Sequence, residues 1–225
     1  MLLALDTSTH YVGLALYDGV QVLSESTWLS RDYHTVELAP AVADIFTRAR
    51  VQAADLQALA VATGPGSFTG LRIGLALAKG IALAHHLPMI GIPTLDILAA
   101  GQPLLPDPMV VVLRAGRGRL AVAWYQVQKG VWRRRSELEV MTAVELNERI
   151  QTPTYVCGEL DEEEQRLLNR RRKIVILASP AQSVRRPAVL AELAWRRWKS
   201  TGGDDPKTLA PVYLHYNQPI PGESA

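Results

Sequence analysis

The chain has almost no cysteine and no long apolar run. Cys157 is the only cysteine among the 225 residues, which excludes an internal disulfide and any zinc or iron–sulfur site that needs several cysteines. No apolar run approaches the roughly 20 residues that a membrane span requires. The N-terminal segment reaches Asp6 without the basic region of a secretory signal. We therefore expect a cytoplasmic protein that contacts no membrane.

Clustered histidines are also missing. His10, His34, His85, His86 and His215 are scattered along the sequence. The adjacent pair His85 and His86 would point to different faces of a helix, so the two rings cannot bind one metal ion together. The sequence has neither the elbow motif of a serine hydrolase nor the carboxylate pair of a glycosidase. We therefore predict neither metal ligands nor catalytic residues.

Charge is nearly balanced overall but unevenly distributed. The 24 basic and 22 acidic residues give a net charge of +2. Residues 1–109 hold 5 basic and 9 acidic residues, whereas residues 110–225 hold 19 and 13. Basic clusters such as Arg133-Arg134-Arg135 and Arg170-Arg171-Arg172-Lys173 account for much of this excess. A basic half is typical of a nucleic-acid contact, although a solvated arginine-rich surface gives the same pattern.

The order of apolar runs predicts strands and helices that alternate. Residues 1–28 contain three strand-like runs, and Asp18-Gly19 between the last two predicts a hairpin turn. Apolar residues at helical spacing predict helices over 34–50 and 68–86. The second of these carries only Arg72 and Lys79 as charged residues, so we expect it to be buried or covered by a partner.

Proline marks a division into two lobes. Three prolines fall between Gln102 and Pro108, just before the change in charge. This break predicts lobes over residues 1–105 and 106–225, the second ending in a Pro-rich tail. Each lobe starts with a strand meander and continues with alternating helices and strands, which indicates a duplicated α/β unit.

Two polar or glycine-rich turns follow predicted strands. Asp6-Thr7-Ser8 follows the first strand, where a carboxylate and hydroxyls orient phosphate in some proteins and only satisfy the turn in others. The turn beginning Gly64-Pro65-Gly66 leads into the second helix, whose N-terminal amides favour an anion. Small residues then recur every four positions at Gly66, Gly70, Gly74, Ala78 and Ala82. Because glycine costs about 1 kcal/mol in a helix relative to alanine, we expect this stripe to be a packing or association surface.

These motifs together resemble the bacterial TsaB (YeaZ) family, subunits of the machinery that makes threonylcarbamoyladenosine on tRNA. The glycine-rich segment from Gly64 to Gly74 carries most of the resemblance, which covers residues 1–100 almost completely and is thin beyond residue 110. Further matching segments are Leu3 to Ser8, His34-Thr35 with Pro40, Pro88 to Ile92, Thr94-Leu95 and Pro211 to Leu214.

The resemblance implies a two-lobed α/β protein with the actin-like ATPase (ASKHA, ribonuclease H-like) fold. It implies a non-catalytic partner of a TsaD-like enzyme, which forms N6-threonylcarbamoyladenosine at position 37 of tRNAs that read ANN codons. A TsaE-like ATPase is a further implied partner, and the isolated chain is expected to form a homodimer. TsaD uses two histidines at helical spacing as metal ligands, whereas this sequence has His34 and Leu38.

The resemblance also assigns residues to roles. Asp6, Thr7 and Ser8 would form a vestigial phosphate loop; no cofactor is required, and weak ATP or ADP binding is expected at the interface of the complex. The nearly uncharged second helix and its stripe of small residues, and not the resemblance alone, predict that the interface with the partner uses the first two long helices. The predicted interface residues are His34, Leu38, Val42, Ile45, Phe46, Phe68, Gly70, Leu71, Gly74 and Ala78. The second lobe departs from the family pattern at Arg114, Gly116 and Arg119, where bases or glycine replace family residues that include two acids.

Three other functions are compatible with parts of this pattern. An ATP-dependent small-molecule kinase of the same superfold would need a second phosphate loop with an aspartate, which Arg114-Ala115-Gly116 does not provide. A protease acting on TsaD would need a nucleophile and a base. An RNA-binding module would interleave aromatic and basic residues, as Trp124, Tyr125 and Trp132 do near Arg133.

Overall fold

The computed structural model describes residues 1–30 and 34–214, which form two mixed sheets covered by helices. In the first sheet β1 is antiparallel to β2 and parallel to β4, and the strand order is β3-β2-β1-β4-β5. Both β1 and β4 are buried along their whole length, as expected for central strands with helices on both faces. These strands are β1 (Leu2–Asp6), β2 (Tyr11–Tyr17), β3 (Val22–Leu29), β4 (Ala58–Ala62) and β5 (Met89–Ile92).

Two long helices, α1 (His34–Ala49) and α2 (Phe68–His85), cover one face of this sheet. Helix α2 begins after Ser67 because the Ser67 hydroxyl accepts a hydrogen bond from the Gly70 amide. Both helices agree with the ranges predicted from apolar spacing. Within the described residues, no helix is both long and apolar enough to cross a membrane.

The inward faces of α1 and α2 require a correction to the predicted partner interface. Leu38, Val42 and Ile45 are 2%, 7% and 2% exposed, because they fill the space between α1 and the first sheet. On α2, Leu71 and Ala78 are 1% and 0% exposed, and Ala78 belongs to the same core cluster. These side chains belong to the core of the chain itself and are not available to a partner.

The second sheet repeats the order of the first. Its strands are arranged β11-β10-β6-β7-β8, with β9 paired to β7. On one side of β6, β7 is antiparallel to β6 and β8 is antiparallel to β7; on the other side, β10 and β11 are parallel to β6. The strands beside β1 have the same arrangement, with β2 and β3 on one side and β4 and β5 on the other. This supports the duplicated unit. The strands are β6 (Met109–Gly116), β7 (Arg119–Gln128), β8 (Val131–Arg134), β9 (Glu139–Met141), β10 (Thr154–Gly158) and β11 (Val175–Leu177).

The sheet on which each later helix packs does not follow from the order of elements in the chain. Helices α4 (Ala143–Arg149) and α5 (Glu162–Asn169) pack on the second sheet, but α6 (Pro187–Thr201) returns to the first. Its residues Leu190, Ala191 and Ala194 pack against the face of β1 that α1 and α2 leave open. The prediction that residues 106–225 form one lobe is therefore wrong for α6, because the apolar face of this helix packs on the first sheet.

Helix α3 (Thr94–Ala100) lies between the lobes. Leu95 and Leu98 pack into the core of the second sheet, whereas Ile97 belongs to the cluster around α6. The Tyr125 hydroxyl donates a hydrogen bond to Asp96 Oδ1 at 2.5 Å. Residues before the predicted boundary at 105 thus contribute to the core of the second lobe, and α3 packs against both lobes.

Candidate functional site

The loop between β1 and β2 is buried and internally bonded. Asp6, Thr7 and Ser8 are 2%, 3% and 0% exposed. Asp6 Oδ1 accepts hydrogen bonds from the Ser8 amide at 2.9 Å and from the Ser8 hydroxyl at 2.5 Å. The Thr7 hydroxyl donates to the Gly70 carbonyl oxygen at 2.7 Å, which fixes the loop against α2.

This loop explains the glycine stripe of α2. A Cβ atom at Gly66, Gly70 or Gly74 would come within 3.0 Å of Ser8 or Thr7 atoms, closer than real Cβ contacts. The stripe is therefore a packing surface within the chain. The predicted association through Gly70 and Gly74 is wrong, because the β1–β2 loop already occupies the space beside both glycines.

Arg185 joins this loop to the second lobe. Its side chain is 3% exposed and lies just before α6. Arg185 Nε donates to Asp6 Oδ2 at 2.8 Å, Nη1 to Glu159 Oε1 at 2.7 Å and Nη2 to Thr9 Oγ1 at 2.7 Å. Thr9 Oγ1 also lies 2.7 Å from Glu159 Oε1, to which it donates a hydrogen bond. One guanidinium thus links β1, the β1–β2 loop and the end of β10.

The charge on Arg185 is stable despite its burial. Burial alone would lower the pKa of the guanidinium, but the carboxylates of Asp6 and Glu159 outweigh that effect, so the pKa is raised above its usual value. Both oxygens of Asp6 are engaged within the chain, one by Ser8 and the other by Arg185. This arrangement favours a structural role for Asp6 over orienting a phosphate or a metal-bound water.

Sequence reasoning missed Arg185 and Glu159. Arg185 is 179 positions from Asp6, and its only sequence signal is membership of the Arg185-Arg186 pair. Nothing in the sequence distinguishes Arg185 from Arg186, yet Arg186 is exposed and pairs with Glu25 at the surface. Glu159 directly follows the buried strand β10, as Thr63 follows β4, the strand at the same place in the first sheet. An acidic residue at the end of a buried strand is the signal that points to Glu159.

A cavity of about 500 Å³ lies beside this network, in the cleft between the lobes. Its lining includes Gly66 and Ser67, which directly precede α2, and Arg114 and Gly116 from the end of β6. Arg114 Nη1 lies 3.1 Å from Asp161 Oδ2 and 3.6 Å from Glu164 Oε2. The unusual base at Arg114 is thus matched by acids at the start of α5.

The opposite side of α2 is an exposed apolar surface, here termed the outer face of α2. It carries no acidic residue, and small residues lie along its centre with leucine and isoleucine beside them. A Cβ at Gly80 would meet no atom within 4 Å, and Leu83 is 79% exposed. The outer face comprises the exposed residues Phe68, Thr69, Arg72, Ala76, Gly80, Leu83 and Ala84, with Ile73 and Leu77 half-buried at its border.

One end of the outer face is fixed by the C-terminal segment. The Phe68 ring lies 4.9 Å from the Tyr213 ring, and the Arg72 guanidinium lies 3.9 Å above Phe68. Arg72 Nε also donates a hydrogen bond to the Tyr213 hydroxyl at 3.1 Å. Of the residues predicted for the interface, Phe68 is exposed, at 53%. Phe46 packs partly against the core, and the His34 side chain lies outside the described part of the structure.

Comparison with known proteins gives matches to proteins named for tRNA threonylcarbamoyladenosine biosynthesis. The family model described as "TsaD: tRNA N6-adenosine threonylcarbamoyltransferase" matches residues 22–147. The chain is 36% identical over 154 residues to the tRNA threonylcarbamoyladenosine biosynthesis protein TsaB of Escherichia coli (strain K12), covering 67% of this chain and 66% of that protein. It is 33% identical over 130 residues to TsaB of Bacillus subtilis (strain 168), covering 58% and 57%. The alignments thus span less than two thirds of the length of each relative.

A solved structure matches over nearly the whole chain. The structure of YeaZ from Pseudomonas aeruginosa superposes with a TM-score of 0.76 at 27% identity, covering 95% of this chain and 99% of that one. With the repeated strand order in both sheets, this match confirms the predicted actin-like ATPase fold.

Proposed function

The chain belongs to the TsaD-like family, within its TsaB (YeaZ) group, and on this basis we propose that it is a non-catalytic subunit that binds and activates a TsaD-like enzyme. Both curated relatives are named for tRNA threonylcarbamoyladenosine biosynthesis. The proposed product of the complex is N6-threonylcarbamoyladenosine at position 37 of tRNAs that read ANN codons. The TsaD-like partner supplies the catalytic residues, and tRNA is the substrate of the complex.

The observation that carries the proposal is the outer face of α2. Exposed Leu83 and open Gly80 lie on a helix surface without acidic residues. A contiguous apolar patch of this kind is typical of a protein contact, and small central residues let a partner helix approach closely. We propose that a TsaD-like subunit packs on this face, with Phe68 and Arg72 at one edge.

The Arg185 network supports a subunit without chemistry of its own. In a phosphate-transferring cleft, Asp6 would have to act on a metal ion or a phosphate, but here it forms an ion pair with Arg185. The proposal therefore requires no cofactor for this chain. Any ATP or ADP would bind weakly, at the junction with the partner.

The same surface accounts for the other proposed associations. In the isolated chain, two copies would pair through the outer face of α2 and form a homodimer. The homodimer and the complex with the TsaD-like subunit would then compete. A TsaE-like ATPase would bind elsewhere on the complex.

A matched pair of leucine substitutions tests the docking surface. Leu83 and Leu104 are both exposed, at 79% and 54%, but only Leu83 lies on the outer face of α2. Leu83→Glu should weaken binding to the TsaD-like protein at least tenfold in isothermal titration, because it places a carboxylate in a desolvated contact. Leu104→Glu should bind like the unmodified chain.

The titration also has outcomes that contradict the proposal. If the unmodified chain does not bind the TsaD-like protein of the same organism, the partner role is wrong. Equal binding by the Leu83→Glu variant and the unmodified chain would place the interface on another surface. Circular dichroism of both variants establishes that each remains folded.

A further inference from the structure

Charge in the second lobe is separated along the strand direction. Strands β6, β10 and β11 are parallel, so they begin at one end of the sheet, here termed the amino end. Helices α4 and α5 lead into the next parallel strands and therefore end there. Basic residues concentrate at the amino end, and acidic residues lie mainly at the opposite end.

The edge strand β8 supplies the first basic group. Arg134 is paired with Tyr125 of β7, and Tyr125 is paired with Met109, the first residue of β6. This register places Arg133, Arg134 and Arg135 close to the level at which the parallel strands begin. All three arginines are exposed.

The segment between α5 and β11 supplies the second basic group. Residues Arg170 to Lys173 directly precede β11, and Val175 of β11 is paired with Thr154, the first residue of β10. Arg171 donates a hydrogen bond to the Asn147 carbonyl oxygen near the end of α4. Four strand spacings of about 4.8 Å separate the two groups, so they bracket an edge roughly 19 Å wide.

Most acidic residues of the second lobe lie away from these groups, although Asp107 and Glu148 lie at the amino end. Asp161 and Glu162 to Glu164 lie at the start of α5, and Glu145 lies in the first turn of α4, both at the far end of the sheet. Arg149 and Arg166 form ion pairs with Glu139 and Glu162. Among the described residues, no ion pair involves Arg133 to Arg135 or Arg170 to Lys173. We name these seven residues the basic rim.

We propose that the basic rim binds the phosphate backbone of the tRNA on which the complex acts, an inference that rests on the proposed function. Six of the seven residues are arginines, whose planar guanidinium forms paired hydrogen bonds with phosphate oxygens. Trp132 beside the rim donates its indole N–H to the Pro103 carbonyl oxygen and packs on the second core. The rim therefore contacts the backbone and positions the tRNA without reading its sequence.

Two double charge reversals test the rim at equal net charge. Arg133→Glu/Arg135→Glu removes two rim residues, whereas Arg117→Glu/Arg119→Glu changes the β6–β7 hairpin at the far end of the same sheet. Fluorescence anisotropy measures unmodified tRNA binding to the complex with the TsaD-like protein at several salt concentrations. The rim variant should bind about tenfold more weakly, and its log–log salt slope should fall by about 1.8, or about 0.9 per lost phosphate contact.

The control variant should stay within about twofold of the unmodified complex, and both variants should keep their affinity for the TsaD-like protein. Equal losses in both variants, or none in the rim variant, would overturn the proposal. Loss of partner binding with unchanged tRNA binding would identify the rim as a protein contact instead. If the unmodified chain binds no TsaD-like protein but binds tRNA through the rim, the proposed function fails while this inference stands.

Discussion

Two glycines of α2 should respond in opposite ways to substitution, because they point to opposite sides of the helix. Gly74 faces the β1–β2 loop, whereas Gly80 lies on the outer face of α2. We expect Gly80→Arg to abolish binding of the TsaD-like partner while the chain stays folded. We expect Gly74→Ala to destabilise the chain.

The effect at Gly80 follows from the absence of neighbours. No atom lies within 4 Å of a Cβ placed there, so a side chain meets no steric barrier in the free chain. Replacing a helix-interior glycine by alanine is worth about 1 kcal/mol. Gly80→Ala should therefore raise the unfolding temperature by roughly 2–4 °C, and Gly80→Arg should at least preserve it.

The effect at Gly74 follows from Thr7. An added Cβ would lie within 3.0 Å of Thr7 Oγ1 and 3.2 Å from Thr7 Cβ and Cγ2. Thr7 cannot turn away freely, because its hydroxyl donates to the Gly70 carbonyl oxygen. Overpacking of this kind costs about 1–3 kcal/mol, and each kcal/mol lowers the unfolding temperature by roughly 2–4 °C.

Thermal unfolding followed by circular dichroism and titration with the TsaD-like protein separate the two effects. The Gly80→Arg variant should unfold no earlier than the unmodified chain and show no measurable complex. Full partner affinity in this variant would refute the assignment of the outer face. An unchanged unfolding temperature in Gly74→Ala would refute the packing argument.

Three further predictions concern the cleft and the second lobe. Arg185→Met should lower the free energy of unfolding by about 3–5 kcal/mol in denaturant unfolding, because Asp6 and Glu159 lose their buried counter-charge. Adding Glu159→Gln should recover part of this loss. No recovery would argue that the loss does not come from the unpaired carboxylates. The Glu164 amide and Arg114 hold the pKa of Asp161 below its usual range. The ionised Asp161 side chain therefore stabilises the folded state at pH values above the pKa that Asp161 has in the unfolded chain. This stabilisation is lost as the pH falls through the lower pKa that Asp161 has in the folded chain. The unmodified chain should therefore lose more stability than Asp161→Asn between about pH 4 and pH 2, and parallel acid titrations would contradict this. The purified chain with magnesium should hydrolyse ATP far more slowly than about 1 s⁻¹, a limit that a coupled assay checks and that faster metal-dependent turnover would break.

Turns and helix extents were predictable from the sequence because neighbouring residues determine them. Asp18-Gly19 joins β2 and β3 as expected, and apolar spacing gave the extents of α1 and α2. The inward side of α2 could not be chosen in this way. Gly70, Gly74 and Ala78 recur every four residues, but so do Ala76, Gly80 and Ala84. Only the contact with Thr7 decides which stripe is internal.

Contacts between distant parts of the chain were not predictable. Helix α6 follows the second lobe in the sequence, yet its apolar face completes the first sheet. No local pattern records which of two similar sheets a helix covers. The same limit applies to Arg185, whose partners Asp6 and Glu159 come from different lobes. Arginine at the surface and arginine in a buried ion pair have the same local sequence signature.

Formation of the modified nucleoside in a reconstituted reaction tests whether this chain activates the TsaD-like enzyme. The remaining proteins of the pathway, including the TsaD-like enzyme, would be incubated with unmodified tRNA, with or without this chain, and N6-threonylcarbamoyladenosine would be measured after digestion to nucleosides. We expect product when the chain is present and little or none when it is absent or carries Gly80→Arg. Equal product with and without the chain would contradict the proposed activation of the TsaD-like enzyme.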